Sequence, residues 1–275
     1  MRQGDERAGQ IILTLTTPET AVCGLAVIGT LTVTNRGASP ATVSGRLNLF
    51  EGDVALRVTC PDGSNRRVAG AGGQPDTLPR QVTLSPGESI AASVNLMHTE
   101  VGLTFPESGR YVLQAEYAPH PAAALVTSAP VALTVAPPQG EEQLSVANYL
   151  SKENVSLALT LAEADRAPDE LRELARRHPT TLEGKLARLI LIGSDESVED
   201  AATSDEPLDG MNPMEAASLI TSVSTTFSRV GSRLAKRYVA YAESQDTVES
   251  VPGSAAGKER EQALRVVKGQ PFGND

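Results

Sequence analysis

Apolar positions in the first half of the chain recur every second residue, in short runs between turn signals. Ile11, Leu13 and Leu15 alternate with Ile12, Thr14 and Thr16 before Thr17-Pro18. Leu25 to Thr34 carries Ala26, Ile28, Leu31 and Val33 and closes at Asn35-Arg36-Gly37. Ala41 to Phe50 supplies Val43, Leu47 and Leu49; Val54, Leu56 and Val58 run into the turn Cys60-Pro61-Asp62-Gly63. Val82 and Leu84 lead into Ser85-Pro86-Gly87-Glu88, and Ile90, Ala92, Val94 and Leu96 follow. Tyr111, Leu113, Ala115 and Tyr117, then Val131, Leu133 and Val135, complete the series. Period-two strands with one buried and one wet face predict an antiparallel β-sandwich.

Beyond Ala136-Pro137-Pro138-Gln139-Gly140, which suits neither a helix nor a central strand, the period changes to that of helices. Val146, Leu150, Leu157 and Leu161 share helical spacing, with a break at Ser151. Pro168-Asp169-Glu170 places Pro and two acids in a first helical turn, and Arg176-Arg177-His178-Pro179 ends that helix. Thr180 and Glu183 have capping-box spacing for the next helix, whose face holds Leu186, Leu189 and Ile190. The two helices form an αα-hairpin. Asn212-Pro213 opens a long amphipathic helix reaching Ser244. Its seam of Ile220, Val223, Phe227, Val230 and Leu234, spaced three and four apart, is coiled-coil-like and predicts association with another protein or with a second copy. The alternative is that the stripe packs on Leu144 to Ile192.

The expected fold class is therefore multi-domain, β then α. The expected segments are an N-terminal tail (1–9), an immunoglobulin-like sandwich (10–137), a helical region with the αα-hairpin (138–193), an acidic linker (194–212), the long amphipathic helix (213–244) and a disordered tail (245–275). The linker reading rests on charge: no basic residue occurs between Leu189 and Ser228, while Asp195, Glu196, Glu199, Asp200, Asp205, Glu206, Asp209 and Glu215 are acidic.

Charge and composition exclude whole classes of activity. Of 275 residues, 24 are Lys or Arg and 34 Asp or Glu, a net charge of −10. Residues 1–140 hold nine Arg, no Lys and eleven acids; residues 141–275 hold fifteen bases and twenty-three acids. Aromatics are 3% of the chain, with no Trp. An acidic chain with so few stacking platforms is not expected to bind nucleic acid. No apolar run approaches a membrane span. The charged start, Met1 to Arg7, has no following apolar core, so the expected location is the cytoplasm, or outside the cell where a signal peptide has been removed. Two cysteines, Cys23 and Cys60, are too few for a disulfide scaffold and are expected to be free.

Sequence motifs for chemistry are wanting. His98, His120 and His178 have no partner at ligand spacing. Gly253-Ser254-Ala255-Ala256-Gly257-Lys258-Glu259 is one residue short of a phosphate-binding loop and lacks its hydroxyl. Gly70, Gly72 and Gly73 lie in a connector with no following helix start, and Asp205 to Gly210 does not follow the EF-hand pattern. No catalytic, cofactor-binding or metal-binding residue is assigned. Tyr111, at the start of its strand, is expected to bond back to the neighbouring corner.

Val33-Thr34-Asn35-Arg36-Gly37, Leu56 to Gly63, Leu84-Ser85-Pro86-Gly87-Glu88-Ser89 and Phe105 to Leu113 resemble the strand ends and turns of bacterial immunoglobulin-like modules. The last two patterns are similar to those of the intracellular proteinase inhibitor domain. Leu171 to Pro179, followed by Gly184, Leu186, Ala187 and Leu189, resembles the helix-Pro-helix junction of tetratricopeptide-like repeats, present as one unit. The resemblance implies a sandwich over roughly residues 10–137 and transfers inhibitor activity to no residue. The expected function is a non-enzymatic protein-binding or scaffold module. The alternatives are a proteinase inhibitor acting through the sandwich loops, or an accessory subunit of a hydrolase system.

Overall fold

The computed structural model describes residues 11–49, 53–68, 80–99, 102–120, 123–194, 212–223, 229–245 and 255–273. The chain divides into two units. One comprises 1–23, 27–137 and 269–275; the other comprises 24–26 and 138–268.

The first unit fits a β-sandwich. One sheet orders β1 (Ile11–Thr16), β3 (Ile28–Asn35), β8 (Glu88–Asn95) and β14 (Phe272–Gly273). The other orders β2 (Thr20–Val22), β13 (Val131–Ala136), β11 (Gly109–Tyr117), β5 (Val54–Thr59) and β6 (Asn65–Val68), with β12 (Val126–Thr127) also on β11. Pairing is antiparallel except between β2 and β13. Two ribbons complete the unit: β4 (Ala41–Ser44) with β7 (Gln81–Leu84), and β9 (His98–Thr99) with β10 (Gly102–Leu103).

The alternation along each strand builds the core. Leu13 and Leu15 of β1, Leu31 and Val33 of β3, Leu56 and Val58 of β5, and Tyr111 and Leu113 of β11 are all buried. The strand expected over Ala41 to Phe50 stops at Ser44, one residue before the last bond in register with β7, from the Gly45 amide to the Arg80 carbonyl. Leu47 and Leu49 nevertheless enter the core.

Two turns lock one corner. Pro86 sets the φ of a type II turn whose next residue, Gly87, has φ +82°, a region a side chain would strain. The Gly87 amide donates to the Asn35 carbonyl, and the Asn35 amide group donates to the carbonyls of Leu84 and Ser39, 2.9 Å each. At another turn Gly109 packs against Pro61: a Cβ there would lie 2.6 Å from the Pro61 Cγ. The Tyr111 hydroxyl donates to the Glu107 carbonyl at 2.9 Å, the corner bond expected of it.

The second unit is helical among its described residues. It contains α1 (Gly140–Leu150), α2 (Glu153–Leu161), α3 (Pro168–Arg177), α4 (Leu182–Ser194), α5 (Pro213–Ser222), α6 (Arg229–Gln245) and α7 (Ala255–Lys268). Helices α3 and α4 pack together, as do α4 with α6 and α5 with α7. The cap of α4 is Thr181, one residue later than expected: its hydroxyl accepts from the Gly184 amide at 3.2 Å. Glu183 then faces inward instead of completing a box with Thr180.

Three expectations are corrected. The single helix over 213–244 is replaced by α5, ending at Ser222, and α6, starting at Arg229. Thr221 and Ser222 bond back to carbonyls of their own helix, and Ser224, Thr225 and Thr226 follow, so the sequence here favours a stop. The seam proposed for association is not free: Ile220, Val223 and Leu234 are core residues. Phe227 lies outside the described residues, and the side chain of Val230 is not described. The tail expected over 245–275 contains α7 and β14. Helix α7 hides its apolar stripe among charges, with Ala263 and Val266 buried. The tail 1–9, the glycine-rich connector 70–73 and the interior of the acidic linker, 195–211, lie outside the described residues.

Candidate functional site

Exposed edges of a sheet carry unpaired backbone donors and acceptors, and folded proteins blunt them with charge, brevity or a cover. In the second sheet, β6 presents Arg66 and Arg67 beside each other, and β2 is three residues long. In the first sheet, the β8 side is taken by β14, with Phe272 opposite Ser89. Strand β1 is different. It is six residues long, reads Ile-Ile-Leu-Thr-Leu-Thr without a charge, and pairs with β3 on one side only among the described residues.

The surface around β1 is also apolar. Ile12 is 45% exposed, with Thr14 and Thr16 exposed along the same face. Strand β12 packs beside β1. The residues leading into it, Ala123, Ala124 and Leu125, are exposed, Leu125 at 55%. Among the described residues, two of the three exposed large hydrophobic side chains thus belong to this edge; the third, Leu144, is on α1.

Glu116 of β11 stands opposite Thr127 of β12 and is buried. It accepts hydrogen bonds from Arg57 and, at 3.0 Å, from Arg67. These guanidinium bonds hold its carboxyl below the usual carboxylate range.

Other chemistry-bearing residues gather elsewhere. The Cys23 thiol donates to the Pro106 carbonyl at 3.0 Å; the Cys60 sulfur accepts from the Arg66 Nε at 3.2 Å, and Arg66 also donates to the Thr104 carbonyl. Both cysteines are free. Burial, and then the charge of Glu107, push the Cys23 thiol up, away from the thiolate a nucleophile needs. In the second unit, Ser145 Oγ and His178 Nε2 share a hydrogen bond of 3.0 Å. Glu183, 3% exposed, accepts the Ala26 amide at 2.8 Å, and burial raises its carboxyl above the usual range. The Ser145–His178 bond ties α1 to the end of α3. Among the described residues, no group of three or more His, Cys, Asp or Glu side chains is placed to hold a metal, and no helix is long and apolar enough to cross a membrane.

No family model matches the chain, and no curated protein does. Among solved structures it is similar to a β-glucosidase from Listeria innocua (TM-score 0.27, 10% identity, 46% of this chain and 16% of that one). A β-glucosidase from Erythrobacter marinus gives TM-score 0.27 and 14% identity over 46% and 15% of the two chains. The CARDB domain of a Pyrococcus furiosus protein, in complex with di-metal ions, gives TM-score 0.24 and 14% identity over 46% and 87%. The chain spans about a sixth of the length of the two glycosidases, 16% and 15%. Likenesses this low assign neither activity nor ligand to the chain.

The uncharged run Ile11 to Thr16 was legible in the sequence. Its place at an edge beside Leu125 was not, because strand order depends on pairings between residues far apart in the chain.

Proposed function

We propose that the sandwich unit is a non-enzymatic protein-binding module that takes an extended, uncharged segment of a partner protein onto the β1 edge. The observation that carries this reading is the contrast among edges: among the described residues, β1 is the long uncharged edge with no strand paired to its outer side. Strand addition supplies affinity through main-chain hydrogen bonds and specificity through alternate side chains. Ile12 and Leu125 then offer apolar contact to the incoming segment, and Thr14 and Thr16 offer hydroxyls. The inhibitor and hydrolase-accessory alternatives attach to no such feature of the described residues.

A peptide of eight alternating Val and Thr residues, flanked by lysines for solubility, tests the reading by backbone NMR titration. Amide shifts are expected at residues 11–16 and 123–127. The double variant Ile12→Lys, Leu125→Lys is expected to weaken binding at least tenfold while keeping its melting temperature. Shifts confined to other strands, or a double variant that binds as well as the original chain, refute it.

A further inference from the structure

We infer that the segment the β1 edge fits best is β1 of a second copy of this chain, added antiparallel about a two-fold axis through Leu13. The inference rests on the reading of β1 as an open edge and names its occupant. The register fixes what that edge offers. The Leu96 amide donates to the Val27 carbonyl at 2.8 Å, in line with the β3–β8 pairing, and the Asn35 carbonyl accepts the Gly87 amide on the same side. Backbone groups alternate sides along a strand, so the odd-numbered residues of β3 face β8, and Thr30, Thr32 and Thr34 face β1. Those three pair with Thr16, Thr14 and Ile12. The N–H and C=O groups of Ile11, Leu13 and Leu15 therefore point outward, and among the described residues no strand pairs with them.

An occupant must match three features. It needs N–H and C=O groups at alternate residues, apolar side chains on the face it shares with the buried Ile11, Leu13 and Leu15, and no charge beside Ile12 on the exposed face. The run Ile11 to Thr16 has that pattern itself. Antiparallel about Leu13, it sets Leu13 opposite the partner's Leu13 and Ile11 opposite the partner's Leu15 in hydrogen-bonded positions. Two bonds at the centre and two at each of the two flanking pairs make six. Centring the axis one residue either way leaves Ile11 or Leu15 without a partner in the run. On the exposed face Ile12 then meets the partner's Thr14, twice by symmetry, as a cross-strand pair of β-branched side chains. Charge also favours the sandwich as the place of contact. Residues 1–140 carry nine Arg and eleven acids, a net −2, whereas residues 141–275 carry fifteen bases and twenty-three acids, a net −8. A two-fold contact uses the edge of both copies, so association through it closes at the dimer.

Sedimentation velocity of the full chain, from low to high micromolar concentration, reads the association. A dimer dissociating in the micromolar range is expected, because one strand per copy makes a small interface. Ile12→Lys and Thr14→Glu are each expected to weaken it at least tenfold and to leave the melting temperature of the dilute chain unchanged. An equimolar mixture of the two variants brings a lysine of one chain opposite a glutamate of the other, and is expected to associate several-fold more tightly than either variant alone. A mixture no tighter than its components overturns the antiparallel register through Leu13, and with it the inference. A dimer unaffected by both substitutions overturns it as well. A chain that stays monomeric throughout, yet shifts at residues 11–16 with the Val-Thr peptide, overturns the inference and leaves the β1 reading standing. A monomer that binds no peptide removes both.

Discussion

The two sides of the first sheet solve the edge problem differently. On the β8 side the chain brings its own strand β14 and buries Phe272 against the sheet. On the β1 side the described residues provide neither a cover nor a charge, and Ile12 stands in solvent. In the second sheet, β6 uses arginines and β2 uses brevity. Three means of blunting edges alongside an edge that stays plain among the described residues invite a functional account of that edge.

Substitutions on each side break or sharpen this comparison. Phe272→Asp places a carboxylate where an aromatic ring is buried, and a loss of about 2–3 kcal/mol is expected by urea unfolding. A loss near zero makes the β8 side as open as β1, and the contrast disappears. Arg67→Thr removes the charge that protects β6 and one of the two partners of Glu116. A cost of about 1 kcal/mol is expected at pH 7, reduced by the exposure of the arginine. Because the Glu116 carboxyl is held below its unfolded value, its contribution is present above the usual carboxylate range and lost as pH falls through the lowered value. The difference between Arg67→Thr and the original chain is therefore expected to shrink as the pH falls below the usual carboxylate range. A difference that stays constant removes the ion cluster from the account. Arg67→Thr is also expected to raise self-association in light scattering, since β6 then resembles β1. Ile12→Lys is expected to change stability by less than about 0.5 kcal/mol. A larger loss means that Ile12 is covered and that the edge is not available.

The comparison also shows how far local sequence reaches. Alternation located the strands from β1 to β13 that hold the core, because a half-buried strand repeats its environment every second residue. The turn chemistry of Pro86-Gly87 and the corner bond of Tyr111 were legible for the same local reason. The short strands β2, β9, β10, β12 and β14 were not, since two or three residues carry too little periodicity to be seen, and β6, Asn65–Val68, holds a single apolar residue. The association seam failed differently. Ile220, Val223 and Leu234 do form an apolar stripe, but a stripe says only that something covers it.

By itself the sequence determined the change from period two to helical period after Pro137, the absence of charge along β1, and the turn at Pro86-Gly87. These are properties of neighbouring residues, set by side-chain volume, charge and allowed backbone angles. The tertiary structure alone decided that β1 and β8 lie on opposite sides of β3, that residues 272–273 return to β8, and that Glu183 receives the amide of Ala26. Each of those depends on closing a loop of tens to hundreds of residues. The closure is stabilised by the buried area and hydrogen bonds of the whole unit, and no local pattern encodes it.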